Sequence, residues 1–126
     1  MDKLSRKPLI GVMGPGGEVT PELLAMAEEL GRLIARAGGI TLTGGRNAGV
    51  MAAASRGAKS AGGLTVGILP TETRDGISPD VDIPIITGMG NARNNINVLS
   101  SEVVIACGMG PGTAAEIALA LKAGKR

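Results

Sequence analysis

Leu9-Ile10-Gly11-Val12-Met13, followed by Gly14-Pro15-Gly16-Gly17 and then Thr20-Pro21-Glu22, is the stretch that decides the fold. The first five residues are a short apolar run, the pattern of a buried strand. The next four break the chain into a turn. Thr20 is suited to cap a helix, Pro21 to occupy its first position and Glu22 its first turn. A strand that enters a helix through a glycine turn is the opening unit of a parallel α/β sheet.

The same unit recurs downstream. Leu23, Met26, Ala27, Leu30, Leu33, Ile34 and Ala37 fall at spacings of three and four and form one apolar helical face. Gly38-Gly39 stops that helix. Ile40–Thr43 reads as a second strand, Gly44-Gly45-Arg46-Asn47-Ala48-Gly49 as its turn, and Val50, Met51, Ala54, Ala58 and Ala61 as an Ala-rich helix. Gly62-Gly63 ends it, and Leu64–Leu69 gives a third strand closed by Pro70. The polar segment Thr71–Asp82 is expected to be a surface loop. Ile83–Thr87 is a short strand whose Pro84 places it at an edge or a strand start. Gly88-Met89-Gly90 leads into a helix from about Asn91 to Ser100. Glu102–Cys107 is a strand, and Gly108–Gly112 turns it into a last helix from Thr113 to about Ala123. The whole predicts one α/β domain over residues 1–126, with a mostly parallel, doubly wound sheet and right-handed crossovers.

Composition narrows the chemistry. The chain has no Phe, Tyr or Trp, so the core must be aliphatic. The net charge of +2 comes from interspersed signs, with no basic stripe. Without aromatic rings to stack on bases, nucleic acid is not an expected partner. There is no His, which removes Ser–His and Cys–His relays. With Cys107 as the sole cysteine, neither an internal disulfide nor a structural zinc site is expected. A carboxylate-held Mg²⁺ has no motif behind it. Met1–Pro8 lacks the apolar core of a signal peptide, and no apolar run reaches membrane-spanning length. A cytoplasmic protein with no membrane partner is the expectation.

Three glycine turns end at Gly14–Gly17, Gly44–Gly49 and Gly108–Gly112. In a parallel sheet they gather on the rim formed by the C-terminal strand ends, where ligands of open α/β sheets bind. Their backbone amides and the following helix N-termini attract anions. The alternative is that the glycines only make tight turns. Familiar fingerprints are missing. After Gly14 and Gly16 the third glycine position is Val19, and Arg46 follows the second strand where an acid would hold a ribose. Gly108–Thr113 lacks the Lys of a P-loop. NAD binding and ATP hydrolysis are therefore not expected. Arg93 follows a glycine turn and is either a phosphate ligand or a solvated surface residue. Glu116 completes a Thr113-x-x-Glu116 capping box, and it could also stabilise an oxocarbenium-like centre at the rim. Cys107 is expected to be a buried, inert thiol.

Gly44–Met51, Thr65–Pro70, Gly90-Asn91-Ala92-Arg93-Asn94 and Gly110-Pro111-Gly112-Thr113-Ala114-Ala115-Glu116 together resemble the Lonely Guy and molybdenum cofactor carrier superfamily. The Asn-Ala-Arg-Asn segment is most similar to the carrier branch. The resemblance covers almost the whole chain in order. It implies a Rossmann-like three-layer sandwich, a homo-oligomer (dimer or tetramer), and a phosphate pocket. The candidate ligand residues are Gly14, Gly16, Gly17, Gly44, Gly45, Arg46, Asn47, Gly49, Met51, Asn91, Arg93, Asn94, Gly110, Gly112 and Thr113. In the carrier branch the rim holds a phosphorylated pterin, the molybdenum cofactor, without turnover. In the hydrolase branch, residues matching Arg93 and Glu116 cleave the N-glycosidic bond of a nucleoside 5′-monophosphate.

Two local differences accompany the resemblance. The usual Pro-Gly-Gly-x-Gly-Thr loop is here Gly108–Thr113, and the Met-x-x-Arg-Lys segment of the hydrolases is replaced by Gly90–Asn94 without the second cation. The chain closes on Gly124-Lys125-Arg126 where relatives add a strand, so a missing or partner-covered sheet edge is expected. Many relatives carry a lysine decarboxylase label. Pyridoxal chemistry needs a Schiff-base lysine at the pocket, and Lys3, Lys7, Lys59, Lys122 and Lys125 all lie away from the rim turns. The sequence therefore favours binding of a phosphorylated pterin or nucleotide-like ligand, with no cofactor required. A phosphoribohydrolase and a non-catalytic assembly module stand as alternatives.

Overall fold

The computed structural model describes residues 7–108. Five strands form one sheet: β1 (Leu9–Met13), β2 (Ile40–Thr43), β3 (Thr65–Leu69), β4 (Ile83–Ile86) and β5 (Val103–Ala106). Their spatial order is β4-β3-β2-β1-β5, and every pairing is parallel. Three α-helices connect them: α1 (Pro21–Arg36), α2 (Gly49–Ser60) and α3 (Arg93–Ser100). The chain steps from β1 to β4 in one direction, then crosses back to place β5 on the far side of β1. That reversal sends α3 to the face opposite α1 and α2, as right-handed crossovers require. The result is a Rossmann-like layered α/β sandwich.

The local signals act as read from the sequence. Thr20 takes an extended backbone and its hydroxyl accepts from the Leu23 amide at 3.2 Å, capping α1. Pro21 occupies the first turn, and α1 stops at Arg36 before Gly38, whose φ is +86°. Alternate residues of β1 then sort the core. Val12 packs with Ala27, Ile34, Val50, Ala53, Ala54 and Cys107 under α1 and α2. Met13 packs with Leu42, Val66 and Ile68 on the other face, joined by Ile96 of α3. Burying each large aliphatic side chain contributes about 1.5–3 kcal/mol, which compensates for the missing aromatics by number.

Helices α1 and α2 approach closely because Gly57 of α2 lies against the Glu28 backbone and Gly31 of α1 against the backbone of Ala54 and Ala58. Arg56 joins the pair by donating to Glu28 at 3.0 Å.

Two stretches differ from the sequence reading. The expected helix start at Asn91 is a 3-10 turn over Gly90–Ala92, and the α-helix begins at Arg93. The polar segment 71–82 is fastened, not a bare surface loop. Asn47 donates to the Gly76 carbonyl and Ser78 to the Gly45 carbonyl, both at 2.9 Å, so Arg46 and Ile77 form an antiparallel bridge. The parallel β3–β4 crossover is thus made by a stitched loop with no helix.

Candidate functional site

Two of the glycine turns meet at the C-terminal rim. The Val50 amide at the start of α2 donates to the Pro15 carbonyl at 3.0 Å. Gly49 makes that contact feasible. Its φ of +51° is a left-handed conformation, and any Cβ there would run into the Pro15 carbonyl. Gly14 lies under Val50 and beside the Cys107 carbonyl, which brings the end of β5 to the same place. Gly108, the last described residue, sits beside Pro15 and Leu23.

Met51 is the hub of this junction. Its side chain is 7% exposed. The methyl end lies over Gly16 and the sulfur over Gly44. Arg93 lies against Gly44 beside the Met51 sulfur and donates Nη1 to the Ile68 carbonyl at 3.0 Å. Gly16, Gly44, Gly49, Met51 and Arg93 therefore form one contiguous group drawn from three connections.

The glycines at the junction serve the protein first. Gly14 and Gly49 are demanded by neighbouring backbone carbonyls, without reference to a ligand, whereas Gly44 faces the flexible ends of Arg93 and Met51. Gly17 differs, because nothing lies within 4 Å of where its Cβ would stand. Several amides of the second turn are also committed within the chain: Gly45 donates to the Thr43 hydroxyl at 2.9 Å, Asn47 to Gly76 and Val50 to Pro15. Among the described residues, the amides of Gly16, Gly17, Gly49 and Met51 have no protein acceptor.

Helix α2 begins with Ala48 at its cap position, with no side-chain cap and no acid in its first turn. Alanine there is about 1 kcal/mol worse than Ser, Thr, Asp or Asn. By contrast, α1 is capped by Thr20 and carries Glu22 in its first turn. The positive end of α2 thus has no capping side chain and no acid of its own.

The remaining candidates scatter. Arg46 and Asn47 are exposed, and their backbone belongs to the bridge with the 71–82 loop. Gly45 is buried under Leu69 and Gly67. Asn91 is exposed on the 3-10 turn, and Asn94 is half-buried in the first turn of α3. Gly110, Gly112, Thr113 and Glu116 lie outside the described residues. Cys107 is buried, and burial pushes its thiol pKa up, which disfavours the reactive thiolate. Sequence reasoning missed Pro15 and Ile68 because both act through backbone carbonyls, which no residue pattern marks. Among the described residues no cluster of His, Cys, Asp or Glu could hold a metal ion, and no helix is long and apolar enough to cross a membrane.

The model of the SLOG cluster4 family matches residues 7–126. The chain belongs to the SLOG cluster4 family. An uncharacterized protein of Archaeoglobus fulgidus is 50% identical over 117 residues, spanning 93% of this chain and 76% of that one. Among solved structures, the molybdenum cofactor binding protein of the phototrophic bacterium Rippkaea orientalis matches with a TM-score of 0.94 and 64% identity, over 95% of this chain and 74% of that chain. The Moco carrier protein of Chlamydomonas reinhardtii matches with a TM-score of 0.88 and 63% identity over the same shares. The resemblance to the carrier branch therefore holds for this SLOG cluster4 member well beyond the four quoted segments.

Proposed function

We propose that this chain binds the molybdenum cofactor as a carrier, seating the cofactor's phosphate at the junction of the first two glycine turns. The observation that carries the reading is the α2 N-terminus. It has an alanine cap, no first-turn acid, and amides at Gly49 and Met51 without acceptors among the described residues. A phosphate monoester is the complement of that donor set. Gly16 and Gly17 extend the amides to the neighbouring turn, and Arg93 adds a fixed positive charge below. The identities above 60% to two proteins named for this cofactor supply the ligand's class. Bound there, the cofactor would bring its own metal and redox chemistry, while the protein's part is to hold and shield it.

Thermal unfolding with added inorganic phosphate, AMP, or molybdenum cofactor released from a molybdoenzyme tests the reading. A ligand that binds only the folded chain stabilises it by RT ln(1 + [L]/Kd). The cofactor is expected to raise Tm well beyond inorganic phosphate, and AMP is expected to be recovered intact. Release of free adenine would replace the carrier reading by the hydrolase one, and no stabilisation by any of the three would overturn both.

A further inference from the structure

Parallel strands are usually joined through a helix, but β3 and β4 are joined by residues 70–82 without one. The second half of this connection lies on the α2 side of the sheet. Val81 fills the space over Gly67. Asp82 accepts from the Thr65 amide and from Lys59 in the last turn of α2. The first half stays at the C-terminal rim, where residues 72–76 are exposed.

Residues 70–78 are bonded to both connections that carry the proposed phosphate donors. At one end the Gly88 amide donates to the Thr71 carbonyl at 2.8 Å and the Gly90 amide to the Pro70 carbonyl at 3.0 Å. Those donors belong to the turn that leads into Arg93. At the other end Asn47 donates to Gly76 and Ser78 donates to Gly45. Those partners belong to the turn that leads into Gly49 and α2. Among the described residues no backbone hydrogen bond joins the two turns directly. We infer that residues 70–78 form a strap that sets the position of Arg93 relative to the α2 N-terminus, with Gly76 as the positioning residue that shapes it. The inference rests on the carrier reading of that site.

Gly76 is the sensitive point. Its φ is +78°, and nothing lies within 4 Å of where its Cβ would stand. A side chain there strains the backbone without striking a neighbour, so the strap can be loosened while the core stays packed. Asn tolerates this conformation, whereas a β-branched residue does not. Residues 71–76 carry no apolar side chain, and such a segment opens locally at little cost. A ligand that needs both donor sets binds the fastened form and holds it closed.

Hydrogen exchange with and without inorganic phosphate tests this on the wild type, Gly76→Val and Gly76→Asn. Phosphate is expected to slow the amides of Asn47, Ser78, Gly88 and Gly90 together, although all four are committed to protein carbonyls. Without ligand, Gly76→Val is expected to speed exchange at all four about tenfold. It is also expected to weaken phosphate binding severalfold, and Gly76→Asn to restore both properties. Faster exchange at Asn47 and Ser78 alone, with Gly88 and Gly90 unmoved, overturns the inference. So does wild-type phosphate affinity in Gly76→Val. A wild type that binds no phosphate overturns the carrier reading of the site instead, and the ligand-free exchange of the four amides then still decides whether the strap acts as one unit. Should Gly76→Val fail to fold, the joint response of the four wild-type amides to phosphate decides, and separate responses overturn the inference.

Discussion

Arg93, the first residue of α3, donates its Nη1 proton to the carbonyl of Ile68 near the end of β3 at 3.0 Å. One side chain therefore fixes α3 against the rim and holds a positive charge beside Gly44 and Met51. Arg93→Met keeps the apolar stem but removes the donors. It is expected to cost about 1–3 kcal/mol, the range for depriving a buried acceptor of a charged donor. Arg93→Lys is expected to recover little, since a point charge does not reproduce the planar fork. Urea unfolding checks the stability, and phosphate titration checks whether affinity falls in parallel. A change below about 0.5 kcal/mol, typical of a surface substitution, would show that the contact is incidental.

Gly49 and Gly17 separate packing from ligand binding. Gly49→Ala places a Cβ against the Pro15 carbonyl at a left-handed φ. It is expected to destabilise the fold by at least about 1–2 kcal/mol. Gly17→Ala meets open space and is expected to leave Tm nearly unchanged while weakening phosphate or cofactor binding. Paired melting and binding measurements on the two variants check this. Unaltered affinity in Gly17→Ala would remove Gly17 from the contact.

The architecture was legible because its signals are local. An apolar run over Leu9–Met13, a Thr20-Pro21 cap and the Gly38-Gly39 stop each specify backbone geometry within a few residues, and the proline in Ile83–Ile86 announced the sheet edge. The candidate site was legible only in outline. Sequence placed Gly16, Gly44, Gly49, Met51 and Arg93 on one rim, but it could not tell that three of those turns press against each other. The reason is physical. Pro15 and Ile68 contribute carbonyls that every residue possesses, so their partners Val50 and Arg93 were invisible as partners. For the same reason Arg46 and Asn47 read as ligand residues, whereas their backbone is engaged with the 71–82 loop.

Asp82 gives the fold an acid-side dependence on pH. Burial alone would raise its carboxyl pKa. The hydrogen bond from Lys59, the backbone and hydroxyl donors of Thr65 and the Lys59 charge outweigh that, so the pKa lies below the usual carboxylate value. Lys59 Nζ stands 2.9 Å from one carboxylate oxygen, and the Thr65 amide 3.0 Å from the other. A depressed folded-state pKa means that the unfolded chain binds the proton more tightly. The contribution is complete above the unfolded value of about 3.9 and is lost as pH falls through the lower folded value. Urea midpoints measured from about pH 5 downward are expected to fall more gently for Asp82→Asn than for the wild type. Parallel acid limbs would show that the clamp is not linked to protonation.

Thr41 on β2 and Ser55 on α2 are fully buried, and neither hydroxyl has a hydrogen-bond partner among the described residues. An unsatisfied buried hydroxyl costs about 1–3 kcal/mol, whereas an apolar group of the same shape carries no such penalty. Thr41→Val preserves the β-branched outline and removes only the polar atom. It is expected to be neutral or to stabilise the fold by on the order of 1 kcal/mol. Ser55→Ala also removes a polar atom from the helix–sheet interface and adds helix propensity of a few tenths of a kcal/mol. Neither substitution is expected to lower the urea midpoint, singly or in combination, and Ser55→Ala is expected to raise it. A loss of stability in Thr41→Val would mean that its hydroxyl is satisfied by a buried water held between β2 and the α1–α2 layer.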